Sequence, residues 1–382
     1  MKVYLLYSIL ASGLNYFATL IVLYFLGTTS FSLLYAPFLY AFFIGQLGDL
    51  SLENQFISNR LDGITYITAK FTFYLVASIF VYTLDVVDTF ELSIGDLFFI
   101  IVSWYIFTCV TAYLKKLNKF RELGIIILVA AILRTFVMLI LLLLVEDDVS
   151  RYIVLFFPLL ALTSVAVFAV LSTDSFSKAH ITFVGSRISF KSISLAIVAS
   201  YMIQALYGRL DVYVIERYLT DDQLHLYVSA LALFAPLFTV IDFVCTYAFR
   251  NYKTILQKLP DRYSTGYILI LYLLILNFIF VGTISLLPID AFFKLVLTGC
   301  VALLSASISG FFHRIIFIEA SANQLLFLLL SAFQFMILYT LALLVVEWGV
   351  YFVVLSLVVG NLMGAIGHLL MMSKTDHNKL SI

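Results

Sequence analysis

The sequence predicts an all-α polytopic membrane protein, with twelve transmembrane helices in two six-helix bundles around a central cavity. Three observations lead there. Hydrophobic residues make up 63% of the chain and charged residues 12%, against roughly a quarter charged in soluble domains, so a water-soluble fold would lack polar surface to cover itself. The runs at 125–145 and 325–346 are apolar on nearly every side. They match the roughly 20 residues that cross about 30 Å of hydrocarbon, whereas barrel strands would alternate. Finally, the chain echoes itself. Phe25-Leu26-Gly27-Thr28-Thr29-Ser30-Phe31 leads into an apolar segment with Asp49 near its far end, and Tyr218-Leu219-Thr220-Asp221-Asp222-Gln223-Leu224 leads into another with Asp242 at the matching place. These pairs, and Arg60 with Lys253, share one offset of 193 residues. Each half therefore opens with a helix, a tight polar turn and a second helix ending in an acid, a repeat construction common among membrane carriers.

Taken in order, spans are expected at about 3–25, 31–52, 68–86, 96–114, 124–145, 152–172, 192–215, 224–248, 266–287, 291–312, 322–344 and 349–371. The N-terminal bundle then covers 1–175, a cytoplasmic linker 176–191 and the C-terminal bundle 192–382. The first span follows a single Lys2 and is interrupted by Ser12, Gly13 and Asn15, yet stays hydrophobic through Phe25. That exceeds a cleaved leader, so it is expected to be retained. Pro37, Pro158 and Pro236 fall in the second, sixth and eighth spans, where each removes a backbone hydrogen bond and favours a kink. The last span carries Gly360-Asn361-Leu362-Met363-Gly364 and then Gly367, a small-residue face suited to close helix packing.

Charge sorts the connections into two sides. Lys2, Arg60, the Lys115-Lys116-Lys119-Arg121 cluster, Arg187, Lys191, Arg250, Lys253, Arg314 and Lys374 share the side of the termini, while Asp88, Glu91, Glu146, Asp147, Asp148, Asp221, Asp222, Asp290 and Glu347 lie opposite. Retention of basic residues on the inner face places both termini in the cytoplasm. The same basic clusters attract anionic lipid headgroups. Every loop is too short for a soluble domain, so function must reside in the helical body.

Polar residues inside that body are therefore the candidates, since an ionised side chain in hydrocarbon costs about 2.5 kcal/mol or more and normally faces water or a partner. Arg134 sits mid-span, too far from either end to snorkel easily, and suits either a cavity or a structural acid. The seventh span contributes Gln204, Arg209 and Asp211. Arg209 and Asp211, two apart, point different ways, whereas Gln204 and Asp211, seven apart, share a face. Asp49 and Glu53 form an acidic i,i+4 pair at the cytoplasmic end of the second span, and Asp242 repeats the position in the eighth. These carboxylates could exchange protons or sodium, or latch onto Arg60 or Lys253 at the rim. Tyr24, Tyr35, Tyr66, Tyr207, Tyr213, Tyr218 and Tyr227 gather near span ends, as an interfacial belt would. Five scattered histidines lack metal-ligand spacing, and the three cysteines all fall in apolar runs, so no metal, cofactor or disulfide framework is expected. Nothing suggests a nucleic-acid partner.

Tyr24-Phe25-Leu26-Gly27, then Phe31-Ser32-Leu33-Leu34 and Gly48-Asp49-Leu50-Ser51-Leu52-Glu53, resemble the opening of bacterial Wzx-type polysaccharide flippases, in the superfamily of multidrug, oligosaccharidyl-lipid and polysaccharide exporters. Gly208-Arg209-Leu210-Asp211, Tyr218-Leu219-Thr220 and Leu226-Tyr227-Val228-Ser229-Ala230 are similar to that family's seventh helix, turn and eighth helix, with Leu226 where a glycine is usual. The resemblance spans essentially the whole chain, through motif order and spacing. It implies transfer of an isoprenoid diphosphate-linked oligosaccharide to the outer leaflet by alternating access, for O-antigen, capsule or related glycan synthesis, beside glycan polymerase machinery. Arg134 and Arg209 would then hold the diphosphate, because arginine offers several N–H groups. Gln204 and Asp211 would meet sugar or gate the cavity, and Asp49, Glu53 and Asp242 would serve ion coupling or gating. Two other readings stand beside it. One is an ion-coupled exporter of small organic molecules. The other, an integral membrane glycan polymerase, is disfavoured by short acidic outer loops.

Overall fold

The computed structural model describes residues 2–49, 52–57, 61–83, 93–144, 149–171, 198–200, 210–234, 286–302 and 324–380, with single positions within 202–206, 275–284 and 304–305. Among them the regular elements are helices, without a strand. Val3–Ser32, Gly95–Lys116, Phe120–Ile140 and Leu328–Trp348 are long and apolar enough to cross a bilayer. The chain is an integral membrane protein. It divides into two compact units, Met1–Ala205 and Leu206–Ile382; the expected linker at 176–191 lies outside the described residues.

In the first unit, α1 (Lys2–Asp49) is two helical arms meeting at Gly27, whose φ of 76° and ψ of 178° fall in a region essentially reserved for glycine. The polar turn expected after the first span is thus a one-residue break. Along the first arm Tyr4, Ser8, Ala11, Ser12, Ala18, Thr19 and Val22 are buried, while Val3, Leu6, Ile9, Leu10, Phe17, Ile21 and Phe25 face outward. An apolar outer face of this kind is what hydrocarbon requires.

Two short connections follow capping chemistry. Beyond α2 (Leu52–Ile57) comes α3 (Gly63–Thr83), which begins five residues before the expected start at 68. Asp62 is the reason: its Oδ1 accepts the Thr65 N–H at 2.9 Å and its Oδ2 accepts the Thr65 hydroxyl at 2.7 Å, so the helix starts at a side-chain cap and not where hydropathy rises. Ser93 and Asp96 form a capping box at the head of α4 (Ile94–Lys116). Asn118, at φ 58°, turns the chain into α5 (Phe120–Leu144), and α6 (Val149–Leu171) continues through Pro158. Helix α1 packs on α3, α4 and α5, and α6 packs on α4 and α5. Glycines permit the close approach: a Cβ at Gly45 would meet Trp104, and one at Gly48 would strike the Tyr74 ring.

In the second unit, α7 (Leu210–Tyr218) and α8 (Asp221–Phe234) are separated at Leu219 and Thr220, at the 193-residue offset from Leu26 and Gly27. The helix break itself therefore repeats. Thr220 C=O accepts from the Gln223 and Leu224 N–H groups, and Asp221 and Asp222 occupy the first turn, where negative charge is favourable. After α9 (Ala291–Ala302), α10 (Gln324–Val345) and α11 (Val350–Leu380) form a hairpin. Its corner is a 3₁₀ turn, Val346–Trp348, and Gly349 at φ 101°. Gly360 faces Leu338, Gly364 faces Gln334 and Gly367 faces Leu330, an antiparallel seam along the expected small-residue face.

Candidate functional site

Helix geometry places Tyr66, Lys70 and Tyr74 on one face of α3, at i, i+4 and i+8, and all three are buried. Lys70 is fully buried, and its ammonium donates to the Tyr66 hydroxyl at 2.7 Å and lies 3.1 Å from Asp49 Oδ1. The Tyr66 and Tyr74 ring centroids are 5.1 and 5.9 Å away. Tyr74 Oη shares a hydrogen bond with Thr108 Oγ1 of α4, at 3.1 Å. A lone ammonium taken out of water loses several kcal/mol of hydration; a carboxylate, a hydroxyl and two aromatic faces replace it here.

A second pair lies nearby in the chain fold. Glu53 on α2 accepts from Lys115 at the end of α4, at 2.8 Å. Beneath them Phe56 stacks on Tyr66 at 4.4 Å, and Lys116 Nζ sits 3.8 Å from the Phe56 centroid. Leu52, Leu61, Ala69 and Ala112 complete this core. Two of the acids singled out from sequence, Asp49 and Glu53, are thus gathered at the α1–α2–α3–α4 end of the first unit, each against a lysine from another helix. Chemically, these are two opposed-charge pairs that water or a competing ion would have to enter in order to part.

Arg134 occupies a different place. It shares a face of α5 with buried Ala131 and Met138, whereas Ile132 and Phe136 are exposed on the other side. Its Nε and Nη2 are buried, and the guanidinium lies 5.5 Å from the Tyr35 ring of α1. The arginine is therefore turned into the first unit. In the second unit, Asp211 is buried on α7 and its Oδ2 accepts a hydrogen bond from the Tyr227 hydroxyl of α8. Gln204, Arg209 and Asp242, and the rim bases Arg60 and Lys253, lie outside the described residues.

The tyrosines divide. Tyr24, Tyr213 and Tyr218 are exposed, as a belt requires, but Tyr35, Tyr66 and Tyr227 are buried. Their partners explain the correction: Tyr66 meets Lys70, Tyr227 meets Asp211, and Tyr35 stacks on Phe31 beside Arg134. Tyr207 lies outside the described residues. Sequence reading missed Lys70, although Tyr66-x3-Lys70-x3-Tyr74 inside an otherwise apolar run was the available signal. Among the described residues no group of three His, Cys, Asp or Glu side chains could hold a metal.

No protein-family model matches the chain, and no curated protein does. Solved structures do. The chain is similar to a crystal structure of MATE in the straight conformation, with 14% identity and a TM-score of 0.59 over 99% of this chain and 96% of that one. It is also similar to a crystal structure of MATE in complex with MaL6, at 13% identity and a TM-score of 0.50 over 99% and 94%. The likeness shows a shared fold along nearly the whole chain.

Proposed function

We propose that this protein is an exporter of the cytoplasmic membrane, with twelve spans in two six-helix halves that expose a cavity to alternate sides and with both termini inside. The observation that carries the reading is the fold likeness to MATE over 99% of the chain. Two similar halves rocking about a midplane site is the general logic of such carriers, and no bond is made or broken. The same likeness makes an ion-coupled exporter of small organic molecules the first reading of cargo, with a proton or sodium gradient as the driving force.

A second reading, transfer of an isoprenoid diphosphate-linked oligosaccharide, is favoured by Arg134. A guanidinium held inside the membrane body suits an anionic diphosphate better than an organic cation. Arg209, Gln204 and Asp211 would assist it, and Asp49, Glu53 and Asp242 would couple or gate.

Reconstitution in vesicles separates the two. Uptake of a panel of organic cations is measured under imposed pH and sodium gradients, alongside leaflet exchange of a prenyl-diphosphate glycan, for the native protein and Arg134→Ala. Gradient-dependent movement of organic cations that survives Arg134→Ala establishes the first reading. Glycan exchange abolished by Arg134→Ala, with membrane abundance unchanged, establishes the second. Movement of neither class defeats the exporter proposal.

A further inference from the structure

The two ion pairs of the first unit meet their surroundings differently. Glu53 and Lys115 are 21% and 23% exposed, so ions in solution reach both partners. At the other pair only Asp49 has an outer surface, at 25%, against 1% for Lys70. The contact there is one of charge alone, because Asp49 Oδ1 lies 3.1 Å from Nζ yet accepts no hydrogen bond, while the ammonium donates to Tyr66 Oη at 2.7 Å. A stem rooted on α3 thus brings its charge to the acid without the alignment that an untethered ammonium, free to turn its N–H groups, would reach.

What surrounds Nζ is what any small ammonium ion seeks. A carboxylate supplies the opposite charge, a phenol oxygen accepts one N–H, and the centroids of the Tyr66 and Tyr74 rings stand 5.1 and 5.9 Å away. Each ring is held by contacts other than the lysine. Tyr66 stacks on Phe56 at 4.4 Å, and Tyr74 shares a hydrogen bond with Thr108 at 3.1 Å and fills the space left open by the missing Cβ of Gly48. The walls therefore belong to α1, α2, α3 and α4. Only the occupant belongs to Lys70.

We infer that this is a binding site for a small primary ammonium ion, already filled by the protein's own Lys70. The lysine is a tethered ligand that holds the Asp49 carboxylate against free cations, sodium included. Deleting its atoms beyond Cβ would leave a cavity of the size and polarity of n-propylammonium, with the partly exposed Asp49 as its open side. A plain structural pair makes no demand on the shape of a replacing cation. A site does. One consequence rests on the exporter reading above: a driving sodium ion would be bound elsewhere, and Asp49 would serve that exporter as a gate and not as its sodium ligand.

Thermal unfolding of the full chain in detergent tests this, in chloride salts of n-propylammonium, ammonium, sodium and N-methylglucamine at equal ionic strength and neutral pH. The native protein should melt within about 1 °C in sodium and in N-methylglucamine, since its site is occupied. A sodium-induced rise that Asp49→Asn abolishes would overturn the proposal. Lys70→Ala should melt lower, and propylammonium, which replaces the deleted atoms, should recover at least about half of the loss, while the bulkier N-methylglucamine recovers none. Lys70→Met keeps the bulk of the stem and vacates only the place of the charge, so ammonium should stabilise it and propylammonium should not. The two variants should thus reverse the order of the two amines. Adding Asp49→Asn to either should abolish the gain. Absence of an amine-specific gain, one amine order in both variants, or a gain that outlives the carboxylate would each overturn the site. None of these melts involves transport, so a failure here leaves the exporter reading intact, and a failed transport assay leaves the site intact.

Discussion

Lys70 Nζ sits 3.1 Å from Asp49 Oδ1, with the lysine side chain 1% exposed and the aspartate 25% exposed. That asymmetry orders the consequences of breaking the pair. Asp49→Asn strands a charge that cannot reach water, whereas Lys70→Met leaves a carboxylate that partly can. We expect Asp49→Asn to cost about 3–5 kcal/mol and Lys70→Met distinctly less. The double variant should recover much of the loss. Thermal unfolding of the four proteins in detergent gives the cycle, and strictly additive effects would show that the two groups do not depend on each other.

At Gly27 the backbone conformation, and not crowding, demands glycine, because nothing lies within 4 Å of an added Cβ. Gly27→Ala should therefore destabilise by about 1–3 kcal/mol through strain alone. A larger side chain such as serine should cost scarcely more than alanine. A steep rise with side-chain size, measured by the same melts, would contradict the assignment.

The seam between α10 and α11 makes a graded prediction. A methyl at Gly360 or Gly364 would collide with Leu338 or Gln334, while one at Gly367 would sit 3.4 Å from Leu330. Gly360→Ala and Gly364→Ala should each lose about 1–3 kcal/mol by overpacking. Gly367→Ala should stay within about 0.5 kcal/mol. Equal effects at all three positions would refute the observed register.

Tyr227→Phe removes the hydroxyl that Asp211 accepts from in a buried setting. A hydrogen bond to a charged group contributes about 1.5–3 kcal/mol, so the variant should melt lower by that amount. Tyr213→Phe, at an exposed ring on α7, the helix that carries Asp211, provides the comparison and should be silent.

Helical class and membrane residence were legible because both rest on hydropathy, which every span displays independently of its neighbours. The break at Gly27 and its counterpart at Thr220 were legible because glycine, threonine and aspartate act locally. Lys70 was not, for a physical reason: hydropathy placed the start of the third span near residue 68, which would have left the lysine near a water-facing end. The Asp62–Thr65 cap begins the helix earlier, so Lys70 falls two turns inside it, and its carboxylate partner, Asp49, comes from a different helix. Tyr35, Tyr66 and Tyr227 escaped for the same cause, since a tyrosine with a tertiary polar partner and one at a membrane surface look alike in one dimension. Arg134 was found because a mid-span arginine is conspicuous wherever it points, although its orientation toward Tyr35 needed three dimensions.

The single-residue joint at Gly27 leaves the two arms of α1 with no slack. One inserted residue would swing the whole second arm by about 100° about its axis, turning Tyr35 away from Arg134 and Asp49 away from Lys70 at once. The two arms are consequently geared: any tilt or rotation of the first is delivered to the ion pair at the far end of the second, and the length of this joint is as tightly constrained as any side chain it connects.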